Sequence, residues 1–189
     1  TVVLAAIAAR YGDYTLPSGI TSVSDGAFSG TDISCLTVPD AVNFIGAYAF
    51  AGCSNLTKVV LPSVYGIKLG SYAFYGYELI GNSNVASRKL TQALNLDKAS
   101  VIGNYCFAAT GLTEIGIGAN AVCGEGAFFN SSLKTVSVGA NASFGFGAFQ
   151  NCTALTEVVM PSEGGVYFGI VCFANDTALR TIDLSKVGR

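Results

Sequence analysis

Ten Lys and Arg, twelve Asp and Glu and six Cys carry the ionisable chemistry of this 189-residue chain, beside nine Tyr, and there is no His. The missing histidine closes a large part of enzyme space. Neither a Ser-His-Asp nor a Cys-His site can be assembled without it, and no His-ligated metal centre can be built. The cysteines, Cys35, Cys53, Cys106, Cys123, Cys152 and Cys172, stand 18, 53, 17, 29 and 20 residues apart with no C-x-x-C pair, which leaves disulfides to be weighed if the chain is exported. GIGANA (116–121) has the outline of a GxGxxA phosphate loop. Asn-x-Ser/Thr, the glycan-acceptor triplet, begins at Asn55, Asn130, Asn141, Asn151 and Asn175. What these residues can do depends on the elements that carry them.

Those elements repeat. A phenylalanine recurs at Phe28, Phe50, Phe74, Phe107, Phe128, Phe149 and Phe173, at intervals of 22, 24, 33, 21, 21 and 24 residues. Five residues before each stands Val23, Ile45, Leu69, Ile102, Cys123, Phe144 or Phe168, and the next residue is Gly in six of the seven cases, Ser24 being the exception. Downstream of each Phe runs apolar-x-x-apolar-x-apolar, as in LTKVVL (56–61), LTEIGI (112–117), LKTVSV (133–138), LTEVVM (155–160) and LRTIDL (179–184). ISCLTV (33–38) fits as well, and TQALNL (91–96) is a degenerate copy. The last three positions alternate inward, outward, inward, the period of a strand with one buried face. Pro39, Pro62, Gly118, Gly139 and Pro161 then turn the chain.

One such unit cannot bury its own apolar face, but stacked units can, with strands pairing in parallel at about 4.8 Å and like side chains falling into columns. The spacing predicts a solenoid over 16–189 of about seven repeats, with an insertion at 79–89. Seven Phe form an internal ladder, short 3-10 or helical turns surround it, and the Gly before each ladder position permits a bend or a close backbone approach. Residues 1–15 read as an N-terminal cap helix with Val3, Leu4 and Ile7 inward, the alternative being the tail of a secretory apolar segment. The sequence starts without Met, as expected of a processed chain or a fragment. No apolar run approaches the ~20 residues of a membrane-spanning helix. An isoelectric point near 5.0 with scattered bases argues against a nucleic-acid partner.

The form [I/L/F]-G-x-x-[A/C]-F-x-x-C-x-x-L-x-x-V-x-L-P, best seen in IGAYAFAGCSNLTKVVLP (45–62) and FGFGAFQNCTALTEVVMP (144–161), resembles the BspA-like leucine-rich repeats. The resemblance covers residues 16–184 and departs in its low Asp, Glu and Lys content and in the longer third repeat. It implies a right-handed α/β leucine-rich-repeat solenoid with the parallel sheet on its concave face and the short turns on the convex side. It also implies a secreted or surface-displayed protein, often one part of a longer chain, and, for some members, adhesion to host matrix proteins or other cells.

Within that frame each chemical candidate has a plainer reading. Cys53 and Cys152 share a rung position but lie four repeats apart, about 19 Å at ~4.8 Å per rung, far beyond the roughly 7 Å a disulfide allows. With Cys106, Cys123 and Cys172 they read as small buried hydrophobes; Cys35 falls at an outward strand position and reads either as an exposed thiol or as an irregularity of a first repeat. The glycines of GIGANA are turn and ladder glycines, and the Asn triplets sit mostly in turns that suit Asn. Neither cofactor nor metal is expected. Glu114 and Glu157, two rungs apart on an open sheet, have nothing to desolvate them as an acid–base pair. Function therefore falls to surfaces. The outward sheet columns supply Lys58, Asn95, Glu114, Thr135, Glu157 and Asp183, and the insertion adds Arg88 and Lys89. These residues are expected to bind a protein or glycoprotein, host matrix included. The rival reading is a spacer that holds another domain away from the cell, and the even, weakly charged sheet face, without an aromatic anchor, suits it.

Overall fold

The computed structural model describes residues 2–3, 12–80 and 83–188, which form a parallel-sheet solenoid of about seven turns with almost no helix. The apolar-x-apolar strands make one ladder in two blocks. Gly12–Thr15, Ile33–Thr37, Lys58–Val60 and Gln92–Leu94 pair in parallel, and so do Glu114–Ile117, Thr135–Val138 and Glu157–Val159. Between the blocks a 3-10 turn, Leu96–Lys98, packs on Glu114–Ile117 in place of a strand, and a Cβ at Gly118 would run into the Asp97 carbonyl.

The sequence pattern predicts one ladder, and the chain has two. The apolar residue before each Gly is itself a strand residue. Ile45 pairs with Leu69, Leu69 with Ile102, Ile102 with Cys123, Cys123 with Phe144 and Phe144 with Phe168, within a sheet of 8 parallel strands. Most of these strands are two residues long, too short for alternation to register. The glycines that follow serve close approach and not a bend. A Cβ at Gly70 would stand 2.6 Å from the Ala47 nitrogen, and one at Gly169 2.6 Å from the Gly145 carbonyl carbon.

The Phe-bearing segments are turns, not the expected 3-10 or helical pieces. Among the described residues the 3-10 segments are Leu96–Lys98 and Leu184–Lys186, and neither carries a ladder Phe. Every second amide of a turn points along the axis instead: Gly26, Phe28 and Gly30 donate to the carbonyls of Ala47, Ala49 and Ala51 at 2.8, 2.8 and 2.9 Å. This third hydrogen-bonded seam satisfies backbone that a buried loop would otherwise leave unpaired. Inside it the seven Phe stack as predicted, with centroids 5.1–5.8 Å apart and planes within 8° of parallel.

Two further expectations need correction. Of the segment read as a cap helix, 1 and 4–11 lie outside the described residues, but Val2–Val3 and Gly12–Thr15 are strands paired with the rung that follows. Tyr14 packs on Phe28, ring centroids 5.6 Å apart, so the sheet begins upstream of residue 16. LRTIDL (179–184) is not a strand: the chain leaves the ladder and enters the turn Leu184–Lys186. The insertion is an antiparallel hairpin, Tyr77–Ile80 against Ser83–Ala86.

Candidate functional site

The outward sheet face holds only part of its predicted set. Parallel pairing places Thr135 between Glu114 and Glu157, with both glutamates exposed and Thr135 half-buried. Lys58 sits in the other block, between Cys35 and Gln92, and is half-buried like Cys35. Asn95 is not in the column. Gln92 pairs with Lys58, one residue earlier than the pattern suggested, so Leu94 points outward and Asn95 turns into the left-handed region at φ 62°. There its side-chain amide caps the Leu61 carbonyl at 2.9 Å. Asp183 is likewise withdrawn, accepting the Ser185 amide at 2.9 Å as the cap of the terminal 3-10 turn. Lys89 is exposed, but Arg88 is engaged, its guanidinium donating to the Ser132 hydroxyl and to Asn130 Oδ1, both at 2.9 Å. Asn130 in turn donates to the Tyr77 hydroxyl at 2.8 Å. The base of the insertion is thus bolted to the turn edge of later rungs and does not extend the sheet face.

A surface the sequence reading passed over lies on the Phe turns. Two residues after each rung's Gly (Ser24 in the first) the backbone is left-handed, at Gly26, Tyr48, Tyr72, Tyr105, Gly126, Gly147 and Val171, with φ between 52° and 62°. Glycine takes that conformation freely; a tyrosine there costs about 1–2 kcal/mol. The geometry swings the three tyrosines outward into a second aromatic stack. Tyr48 lies 4.7 Å from Tyr72 with planes 3° apart, and Tyr72 lies 5.3 Å from Tyr105 at 14°. Each of the two stacked pairs returns about 0.5–1.5 kcal/mol, which offsets part of the strain. Tyr75 meets Tyr72 edge-on at 5.2 Å and packs on Tyr77 at 5.0 Å with the rings tilted by 37°. Tyr48 is 48% exposed, and Phe146 and Val171 continue the apolar band on later rungs. Charges in these seven turns are confined to Asp25 and Glu125, with no Lys or Arg. The Tyr105 hydroxyl donates to Glu125 Oε1 at 2.8 Å, which, with burial, pushes that phenol up to about 12. Burial raises Tyr72 and Tyr75 too, helped by the neighbouring phenols.

The buried ionisable groups carry no reactive chemistry. Burial pushes the Cys106, Cys152 and Cys172 thiols up to about 12 and raises Cys53 and Cys123, which keeps them protonated and poor nucleophiles. Cys53 and Cys152 are also weak donors, each bonding the Phe carbonyl of the preceding rung, at Phe28 (3.1 Å) and Phe128 (3.2 Å). Thr31 and Thr110 occupy the same column and donate to their own rung's Phe carbonyl at 2.8 Å. Asp176 closes that column, buried and with neither carboxylate oxygen hydrogen-bonded; desolvation pushes it up to about 7. Among the described residues no three His, Cys, Asp or Glu converge as a metal site would require. The Asn triplets behave as turn residues. Asn130, Asn141, Asn151 and Asn175 are all left-handed, and Asn175 donates to Asn151 at 2.9 Å.

Stacked parallel ladders around a phenylalanine column, closed by flat turns, define a leucine-rich-repeat solenoid. The BspA type Leucine rich repeat region matches residues 11–89 and 79–188, in 6 copies, and the chain belongs to that family. Among solved structures it is similar to a leucine-rich-repeat protein of T. pallidum, at 24% identity and a TM-score of 0.72 over 89% of this chain and 81% of that one. It is similar also to a leucine-rich cell surface protein of Faecalibacterium prausnitzii (18%, TM-score 0.52, 86% of this chain and 50% of that one). A leucine-rich-repeat protein of Bacteroides ovatus gives 20% and 0.53 over 89% of this chain, which spans 53% of that protein's length. At these identities the structural likeness concerns the fold. No curated protein matches the sequence.

Proposed function

We propose that this chain is a non-enzymatic interaction module of a secreted or surface-displayed protein, and that it binds a protein or glycoprotein ligand through its turn band. The observation that carries the reading is the outward stack of Tyr48, Tyr72 and Tyr105, held at left-handed positions that three of the other four rungs fill with Gly. Tyrosine supplies rigid contact area with a polar tip and dominates binding hot spots. The sheet face (Lys58, Glu114, Thr135, Glu157) and the insertion with Arg88 and Lys89 flank this band as secondary contacts. Surface display is supported by the family and by the cell-surface description of the F. prausnitzii relative.

The test is binding of the purified chain to immobilised fibronectin, fibrinogen, laminin and mucin, beside three variants. These are Tyr48→Gly/Tyr72→Gly, Glu114→Gln/Glu157→Gln, and a chain with 79–89 replaced by a short Gly-Ser turn. Saturable binding to one ligand, weakened by the tyrosine pair and little changed by the glutamate pair, is expected. The spacer reading draws on the withdrawal of Asn95 and Asp183 from the sheet face; failure to bind any of the four would favour it.

A further inference from the structure

We propose that the tyrosine stack is a receptor for an extended protein segment carrying two cationic side chains, lysine or arginine, set about six residues apart. The inference rests on the interaction-module reading and names the chemistry of its ligand.

Two carboxylates bracket the stack. Asp25 lies on the rung before Tyr48, exposed, with Oδ1 accepting the Ala47 amide at 2.8 Å, so its second oxygen is left for a ligand. Glu125 lies on the rung after Tyr105 and is likewise exposed. Neither is ion-paired among the described residues, where the salt bridge is Lys98–Asp97 at 2.6 Å. Arg88, the base that approaches from the insertion, spends its guanidinium on Asn130 and Ser132. The turns thus present electron-rich rings and two carboxylates with no cation of their own.

Ring faces are available where a cation needs them. Tyr48 has Tyr72 on one face, and the preceding rung has Gly26 in this column, so among the described residues no ring covers the other. The Asp25 carboxylate holds the Ala47 amide, one residue before Tyr48, and lines an open depression with Ser22, Ser24 and Phe44. A guanidinium or ammonium over an aromatic face gains cation–π attraction, and an adjacent carboxylate adds a charge-assisted hydrogen bond. At the far end Glu125 already holds the Tyr105 hydroxyl and keeps acceptor capacity for a second cation. Four rung spacings separate the two carboxylates, about 20 Å at ~4.8 Å each, and an extended chain covers about 3.3 Å per residue. Two basic side chains about six residues apart therefore reach both ends while the intervening backbone lies along the tyrosine hydroxyls.

The experiment titrates the whole chain, by calorimetry at about 150 mM salt to screen non-specific attraction, with synthetic peptides. One has two arginines separated by five Gly and Ser residues; another has them separated by one; a third replaces them with glutamates; phosphocholine is the small-cation arm. Saturable binding of the widely spaced peptide is expected, about tenfold tighter than the closely spaced one and absent for glutamate. Asp25→Asn and Tyr48→Gly should each weaken it about tenfold, with Glu163→Gln, at an exposed glutamate outside the Phe turns, unchanged. Both test substitutions are compatible with the fold, since Asn keeps an acceptor for Ala47 and Gly already fills this column at Gly26. Indifference to spacing, full affinity in Tyr48→Gly, or binding of phosphocholine without the peptides would overturn the proposal. Matrix binding that survives Asp25→Asn while the peptides fail would sink the cationic segment alone and leave the interaction-module reading standing.

Discussion

Two aromatic residues on one rung illustrate how differently the same chemistry is used. Phe74 is buried between Phe50 and Phe107 at 5.3 and 5.1 Å, whereas Tyr72, two residues earlier, stacks on the outside at φ 59°. Removing a ring from the inner column leaves a cavity. Phe128→Ala, at a position fully shut off from solvent, should cost about 3–5 kcal/mol. Tyr72→Gly loses its stacking but releases the left-handed strain, so its net effect should stay within about 1 kcal/mol, read as a shift of roughly 2–4 °C in melting temperature. Equal losses from both substitutions would contradict the separation of an inner, structural column from an outer one. Asp176 makes a different prediction. Its folded pKa is raised from 3.8 to about 7, so its full contribution to stability is present below the unfolded value. That contribution is lost as pH rises through about 7, because the unfolded chain ionises first. The chain should melt higher at pH 5 than at pH 8, and Asp176→Asn should raise the melting temperature at pH 8 and flatten that difference. A wild-type curve rising from pH 5 to 8, unchanged by Asp176→Asn, would count against a buried neutral carboxyl.

At the scale of elements, the rung is defined by how closely neighbouring backbones approach. Gly145 has an ordinary negative φ, yet a Cβ there would stand 2.7 Å from the Glu125 nitrogen and from the Gly124 carbonyl carbon. Gly145→Ala must therefore push two rungs apart and weaken the 8-stranded ladder. Gly26→Ala meets nothing within 4 Å and suffers only its φ of 62°. The first should destabilise the chain by several kcal/mol and the second by about 1–2, and denaturant midpoints would rank them; the reverse order would mean that backbone conformation, not approach, sets the rung. The same distinction explains what was legible in the sequence. The Phe column, the parallel strands and the insertion follow from side-chain identity repeating at regular spacing. The second ladder does not, because strands such as Phe44–Ile45 are too short to show a period. Asn95 was misplaced because TQALNL fits apolar-x-apolar in a register one residue off, with Leu94 outward and Leu96 buried in the 3-10 turn. The tyrosine column was hidden because Gly26, Gly126, Gly147 and Val171 fill the same position on other rungs, and the trait its members share is a backbone angle rather than a residue type.

Taken as a whole molecule, the solenoid divides its surface unevenly. The sheet face, expected to bind, is the plainer one, with Glu114 and Glu157 held apart by Thr135 and with Asn95 and Asp183 spent on capping. The turn band concentrates aromatic area between two carboxylates that form no ion pair among the described residues, and it spans rungs that lie far apart in sequence, so a ligand bound there reads several repeats at once. The most direct test pairs stability and binding in one protein, Tyr48→Gly/Tyr72→Gly/Tyr105→Gly. Its melting temperature and its binding to the four immobilised glycoproteins would be compared with those of the parent chain. An outward stack kept for recognition predicts a melting temperature within a few degrees of the parent and binding weakened by about tenfold or more. A variant that unfolds early, or one that melts like the parent and binds as well, would contradict the assignment of the tyrosine stack as the binding surface.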